Sequence, residues 1–322
     1  MRSRAGGPVR SEVVSSQEAV VVEGLVKTFG DFRALDGLDL SVTAGEVHGF
    51  LGPNGAGKST AIRILLGLYR GTSGRVRVLG LDPGVDPGAV CRRTSYVPGE
   101  VSLWPNLTGQ EVLDALAGLR GAYDGAAERR LVEAFSLDPT RRVRTYSKGN
   151  RQKVMLVAAF AARTDLLVLD EPTSGLDPLM EEVFAACVRE AADAGRTVLL
   201  SSHILSEVEH LCERVTIIKD GRLVETGRVE ELRHLASSTI GAVVPLGLRH
   251  RLPGELASRL DGTGATTDVE VSWTGDRVSM RVEVSEVNEV LLALVTLGAT
   301  SITCEPATLE ELFLRHYATA AR

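Results

Sequence analysis

The sequence predicts a large α/β domain built on a mostly parallel sheet, followed by a smaller α+β domain. Three observations carry that reading. Through roughly the first 225 residues, apolar runs of strand length alternate with helical patterns, as strands joined by helical crossovers do. A β-hairpin motif then closes this region. Beyond about residue 240 the texture shifts to period-two alternation around a turn, followed by an amphipathic helix.

In the first region the apolar runs are Val47–Leu51, Leu166–Asp170 and residues 197–201. Between the last two, Met180, Val183, Phe184, Cys187, Val188 and Ala191 recur at steps of three and four. That spacing marks one buried helical face, which Gly195 ends. Asp220-Gly221 lies between Val215-Thr216-Ile217-Ile218 and Leu223-Val224, the composition of a tight hairpin turn. A Ser/Gly-containing stretch around residues 234–241 then leads into a segment of different texture. Strands follow at 269–273 and 278–284, flanking Thr274-Gly275-Asp276, then a helix over 286–297 and a strand over 300–304. The expected organisation is a disordered tail over residues 1–18, a main domain over 19–235 and a small domain over 240–322. No repeat of 20–50 residues is visible, which sets solenoids aside.

Composition narrows the function classes. Hydrophobic residues make up 44%, charged residues 24% and aromatics 4%, the balance of a globular protein rather than a disordered or fibrous one. A formal net charge of −6 supplies no basic field for nucleic acid, so no nucleic-acid partner is expected. Cys91, Cys187, Cys212 and Cys304 form no CxxC pair and read as reduced thiols of a cytosolic protein. Residues 1–18 contain arginines but no apolar core of the kind a secretory signal has. No apolar run approaches the length of a membrane span.

The chemistry resides in a few motifs. Gly52-Pro53-Asn54-Gly55-Ala56-Gly57-Lys58-Ser59-Thr60 fits G-x-x-x-x-G-K-[ST], with the strand VHGFL before it and the helical pattern AIRILLGLY after it. Glycines let such a loop curl so that backbone N–H groups and the helix N-terminus face phosphates. Lys58 adds a point charge, and Ser59 can hold Mg²⁺. The strand LLVLD delivers Asp170 and Glu171 at its C-terminal end. In phosphate-loop enzymes a carboxylate here supports Mg²⁺, the role expected of Asp170. Glu171, one residue on, is placed to take a proton from an attacking water.

Tyr146-Ser147-Lys148-Gly149-Asn150, then Ser174-Gly175-Leu176-Asp177, then His203 after TVLLSS follow in an order that resembles the ATP-binding subunits of ABC transporters. YSKGN stands where that family has its LSGGQ signature, SGLD matches its D-loop, His203 its switch histidine, and Phe29 the aromatic that stacks on adenine. The ending Glu305-Pro306-Ala307-Thr308-Leu309-Glu310-Glu311-Leu312-Phe313-Leu314 is similar to the tail of the drug-exporter branch. YVPGE, LWPNLTG and YSKGNRQK look most like ATPases paired with actinobacterial exporters of polyketide antibiotics.

The resemblance implies a P-loop NTPase fold of the ABC type, with a helical subdomain and a small C-terminal α+β domain. It implies ATP and Mg²⁺ as ligands, Glu171 and His203 as catalytic residues, and Ser147, Lys148, Gly149 and Asn150 acting on the nucleotide of a second ATPase subunit, with Asp177 in the D-loop. A homodimer on an integral-membrane permease, peripheral on the cytoplasmic face, is the expected assembly. Two departures stand out. Gly99 occupies the place of the family's Q-loop glutamine, which makes the following Glu100 a further candidate near Mg²⁺. Lys148 and Asn150 replace a glycine and the glutamine of the signature. The competing readings are a ribosome-associated or DNA-repair ABC ATPase, an importer ATPase, and a regulatory ATP sensor. The first pair would bring tandem motor domains, coiled coils or zinc insertions, a sensor would lack Glu171, and the ending favours export over import.

Overall fold

The computed structural model describes residues 18–120, 122–234, 238–260 and 270–305. Of the expected tail over 1–18, residues 1–17 lie outside the described residues and Glu18 opens a strand; the exporter-like ending beyond Glu305 also lies outside them.

Strands β1 (Glu18–Phe29) and β2 (Phe32–Thr43) pair antiparallel about the turn Gly30-Asp31. Alternate apolar residues such as Val20, Val22, Leu38 and Leu40 bury one face of this pair. Strand β3 (Val47–Leu51) is buried along its whole length and runs through the glycine loop into helix α1 (Lys58–Leu65). Strand β4 (Ser73–Val78) adds to β1, giving a three-stranded sheet in the order β2-β1-β4. Helix α2 (Pro87–Arg93), capped by Asp86 through Ala89 N–H, leads into β5 (Thr94–Val97).

A helical segment follows: α3 (Gly109–Arg120), α4 (Gly125–Ala134) and α5 (Lys148–Ala161). Asp124 caps α4 by accepting from Ala126 N and Ala127 N, and Ser147 caps α5 by accepting from Asn150 N. The chain returns through β6 (Leu166–Asp170), α6 (Pro178–Asp193), β7 (Thr197–Ser202) and α7 (Leu205–Leu211). The hairpin β8 (Arg214–Lys219) and β9 (Arg222–Arg228) turns on Asp220 and Gly221, both at positive φ, as such a turn requires.

The main sheet has the order β5-β6-β7-β3-β8-β9, and β5, β6, β7 and β3 run parallel in register. Parallel strands covered on both faces read as unbroken apolar runs, which is why VHGFL, LLVLD and TVLLS were legible. Each large side chain such as Phe50 or Leu167, fully buried, contributes about 1.5–3 kcal/mol. For function, the consequence is positional. β6, β7 and β3 are neighbours, so the carboxylates after β6, His203 after β7 and the glycine loop after β3 all emerge at the same edge of the sheet.

The chain divides into two compact units, one holding the residues up to His203 with Thr216–Glu225, the other Ile204–Val215 and the residues from Thr226 on. The second contains α8 (Val229–His234), β10 (Ser238–Val243), α9 (Leu252–Leu260), β11 (Glu270–Thr274), β12 (Arg277–Val282), α10 (Val287–Thr296) and β13 (Thr300–Glu305). Its antiparallel sheet, β11-β12-β10-β13, packs Ile240, Ala242, Val278 and Met280 against Leu252, Leu256, Val290 and Leu294 of the two longer helices.

The Ser/Gly-containing stretch that leads into this unit contains β10, an inner strand of its sheet, which the sequence did not reveal. Its Ser, Thr and Gly residues masked the alternation of buried Ser238, Ile240 and Ala242. Gly241 serves a close approach instead, since a Cβ there would stand 2.7 Å from Thr303 Oγ1. No helix among the described residues is long and apolar enough to cross a membrane.

Candidate functional site

The loop between β3 and α1 is held in shape by what surrounds its glycines. A Cβ on Gly52 would lie 2.5 Å from Ile218 O, and one on Gly57 would lie 2.7 Å from Ala34 O. Gly57 also sits at φ 105°, open to glycine but costly for other residues. Further anchors run from Ala56 N to Pro53 O and from Gly221 N to Ala56 O. No side chain caps α1, and its first turn carries no acidic residue. Its leading amides are therefore orphan donors at the positive end of a helix, which suits an anion.

Lys58 is 5% exposed, and its Nζ donates to Gly52 O at 2.6 Å and to Pro53 O at 3.3 Å. The same ammonium lies 3.6 Å from Glu171 Oε1. Burial pushes the Lys58 pKa below its ordinary value, while the charges of Glu171 and Asp170 oppose that shift. Ser59 and Thr60 follow in the first turn of α1, both half-buried.

At the end of β6, Asp170 is buried and its Oδ1 accepts from Ser201 Oγ at 2.9 Å. Glu171 adopts φ 49°, an uncommon left-handed conformation for a non-glycine residue, held by a bond from its N–H to Ser201 O. Strain of this kind costs on the order of 1–3 kcal/mol and persists where surrounding contacts over-determine it. Here it turns the carboxylate toward Lys58 and toward His203, whose Nδ1 is 3.2 Å from Glu171 Oε1. The sheet edge thus unites the glycine loop, Lys58, Asp170, Glu171 and His203.

Two residues that sequence reasoning passed over belong to this group. Ser201 binds both carboxylate residues, and its signal was a polar pair ending an otherwise apolar strand. Tyr96, on β5, shares the sheet face of Asp170; burial, with the negative charge of Asp170, pushes its phenol up to about 12. Gly99 does adjoin the carboxylates: a Cβ there would be 3.2 Å from Asp170 O and 3.6 Å from Glu171 Cβ. Glu100 is exposed, and among the described residues no hydrogen bond or ion pair links it to Asp170, Glu171 or Lys58.

The signature residues form a separate constellation. Ser147 caps α5, Lys148 Nζ donates to Ser174 Oγ at 2.6 Å, and a Cβ on Gly149 would meet Gly175 O at 2.3 Å. Asn150 follows in the first turn of α5, half-buried. Asp177 caps α6 by accepting from Met180 N at 3.0 Å. Among the described residues no hydrogen bond joins residues 147–150 to the glycine loop of the same chain. Phe29 lies elsewhere again, at the end of β1, 44% exposed, edge-on to Tyr69 with ring centroids 5.6 Å apart. Lys27 Nζ stands 4.7 Å from the Phe29 centroid, so a cation covers the ring.

The family described as ABC transporter matches residues 35–174. The daunorubicin/doxorubicin resistance ATP-binding protein DrrA of Streptomyces peucetius is 37% identical over 307 residues, 92% of this chain and 91% of that protein. The daunorubicin resistance ATP-binding protein DrrA3 of Streptomyces coeruleorubidus is 36% identical over 304 residues, 92% of this chain and 95% of that one. Among solved structures, an ATP-binding subunit of an ABC transporter superposes with a TM-score of 0.63 at 31% identity, covering 67% of this chain and 92% of that one. With near end-to-end likeness and a loop shaped for phosphates, the chain belongs to the ABC transporter family as one of its ATP-binding subunits.

Proposed function

We propose that this subunit hydrolyses ATP with Mg²⁺, paired with a second ATPase subunit, and so drives export of an antibiotic or other hydrophobic compound through a separate permease. The observation that carries the hydrolytic part is Glu171, kept in a strained backbone conformation by its bond to Ser201, with its carboxylate between Lys58 and His203. The family and the names of the relatives support the transport part. Association with the cytoplasmic face of the membrane would then run through the permease.

In this reading Lys58 leaves Gly52 O and Pro53 O for the β- and γ-phosphate oxygens, and the α1 amides complete the cradle. Glu171 takes the proton of a water that attacks the γ-phosphorus as the bond to the bridging oxygen breaks, giving ADP and phosphate. His203 orients the Glu171 carboxylate. Phe29, 44% exposed, offers adenine the part of its ring that Lys27 and Tyr69 leave open. The hydroxyl of Ser59 and the Asp170 oxygen not bonded to Ser201 are hard oxygen donors, the set that suits Mg²⁺. Bound there, the ion would neutralise charge on the phosphates. The signature turn, Ser147 to Asn150, faces the nucleotide of the paired subunit, as the resemblance to the family implies.

The decisive test is Glu171→Gln, which preserves shape and removes the proton acceptor. ATP binding should persist, turnover should stop, and the ATP-bound pair should accumulate on size-exclusion chromatography with ATP and Mg²⁺. A variant that turns over ATP at the wild-type rate refutes the assignment of the base.

A further inference from the structure

We propose that Lys148 is a positioning residue that ties the signature turn to the Ser174-Gly175 turn of the same subunit. This rests on the paired-subunit reading above: the groups one subunit offers its partner's nucleotide become mechanically joined to that subunit's own Glu171.

Lys148 is placed against the grain of its helix. It opens α5, where the positive end of the helix disfavours a cation, and the first turn holds no acidic residue to offset it. Ser, Asp or Glu would serve the helix better there. The cation makes one hydrogen bond, from Nζ to Ser174 Oγ at 2.6 Å. Its stem lies over the adjacent glycine, with Cγ and Cδ each 3.4 Å from where a Gly175 Cβ would be. Beneath it the two turns are in backbone contact, since a Gly149 Cβ would stand 2.3 Å from Gly175 O. Gly175 itself is at φ 86°.

The Ser174 turn is in turn hooked to the proposed base: Ser174 N donates to Glu171 O at 3.2 Å. A continuous path therefore runs from Lys148 through the Ser174 hydroxyl and amide to the strained Glu171 backbone. Asp177 starts the next helix three residues on and shares the same body. Movement of the signature turn against a partner's phosphates is then transmitted to Glu171, and the lysine makes that link stiffer than a second glycine would.

The alternative role for Lys148, direct contact with the partner's phosphates, gives a different kinetic pattern. The experiment is steady-state ATPase activity of the full chain, wild type against Lys148→Met, Ser174→Ala, the double variant and Lys148→Arg. Methionine keeps the stem over Gly175 and removes the charge. Each single variant should lower kcat by roughly fivefold, the size expected from loss of one solvent-exposed hydrogen bond, with KM for ATP within about twofold. The double variant should be no worse than the singles, because both break the same link. Lys148→Arg should keep at least about half of kcat, since it retains a charged donor. Three results overturn the proposal: a raised KM in Lys148→Met but not in Ser174→Ala, additive losses in the double variant, or a wild-type kcat in both singles. Should Lys148→Met fail to fold, Ser174→Ala and Lys148→Arg still give opposite answers on kcat. A wild-type chain that binds a fluorescent ATP analogue yet never turns over ATP sinks the functional reading instead.

Discussion

Gly149→Ala adds one methyl group where the geometry leaves no room, and its consequence can be worked out in advance. The ideal Cβ position is 2.3 Å from Gly175 O and 3.3 Å from Gly175 C. That is roughly 1 Å short of ordinary van der Waals separation. Neither neighbour yields cheaply. The obstacle is a backbone carbonyl, Gly175 is fixed at φ 86°, and the following Asp177 is committed to capping α6. Either α5 withdraws by about 1 Å or the Ser174 turn opens, and overpacking of this kind costs about 1–3 kcal/mol. At about 2–4 °C per kcal/mol for a domain of this size, Tm should fall by a few degrees. The functional cost should be larger, because a displacement of about 1 Å in a positioning group can cost on the order of 100-fold in rate. Differential scanning calorimetry, a fluorescent ATP analogue and steady-state ATPase assays separate the effects. The expected result is a small loss in Tm, nucleotide binding intact at the glycine loop, and kcat down by about two orders of magnitude. Wild-type kcat with wild-type Tm would refute the close approach, and loss of nucleotide binding would refute the separation of the two constellations.

Lys58→Ala should weaken ATP binding itself by about 1.5–3 kcal/mol, roughly 10- to 150-fold in Kd by equilibrium titration, because it removes a charge-assisted contact. The same lysine should leave a signature in the pH dependence of stability. Burial holds its folded pKa below 10.5, so between that pKa and 10.5 the unfolded chain binds more protons and stability rises as pH rises. Urea midpoints for Lys58→Met should lack that rise, and an identical pH profile in both proteins would contradict it. Glu100→Ala should lower ATPase activity if Glu100 takes over part of the missing glutamine's work; unchanged hydrolysis ends that idea. Trp104 is 52% exposed on a loop anchored by bonds from Val143 N to Leu107 O and from Arg144 N to Pro105 O, so it is free to meet a partner. Trp104→Ala should spare hydrolysis and Tm while weakening co-purification with the permease by about 2 kcal/mol or more, and a collapse in Tm would mean the ring packs on its own subunit.

Much of the fold was legible because fully buried parallel strands leave a plain trace. VHGFL and LLVLD are apolar runs bounded by functional residues, and the observed strands begin and end where those runs do. Helix α6 was legible from its period, and its buried residues Met180, Phe184, Cys187, Val188 and Ala191 are among those the spacing selects. Val183 is half-buried rather than core, as expected at the margin of a helical stripe. The strand β10 was not legible because its inner residues include Ser238 and its outer residues include Gly241, so burial and hydrophobicity part company. α9 carries a Pro-Gly pair, Pro253-Gly254, in its first turn, where proline is tolerated but reads as a break.

The site divides along the same physical line. Motif spacing identified residues whose chemistry is local, the glycine loop and the two carboxylates, because strand ends deliver them wherever the sheet forms. It could not show which groups meet across the fold. Ser201 bonding Asp170, His203 reaching Glu171, and Lys148 lying on Ser174 depend on strand order and helix placement, and those are set by the whole core. Gly99 shows the limit most sharply. As a letter it is only a missing glutamine, whereas in space a Cβ there would stand 3.2 Å from Asp170 O and 3.6 Å from Glu171 Cβ. A side chain there would need a few tenths of an ångström of give from the Asp170 carbonyl, and Glu171 is bonded through its backbone to Ser201. On the proposed reading, position 99 offers close backbone contact in place of a polar side chain, and the polar work near the phosphates is carried by Lys58, Glu171 and His203, with Glu100 the further candidate that Glu100→Ala tests.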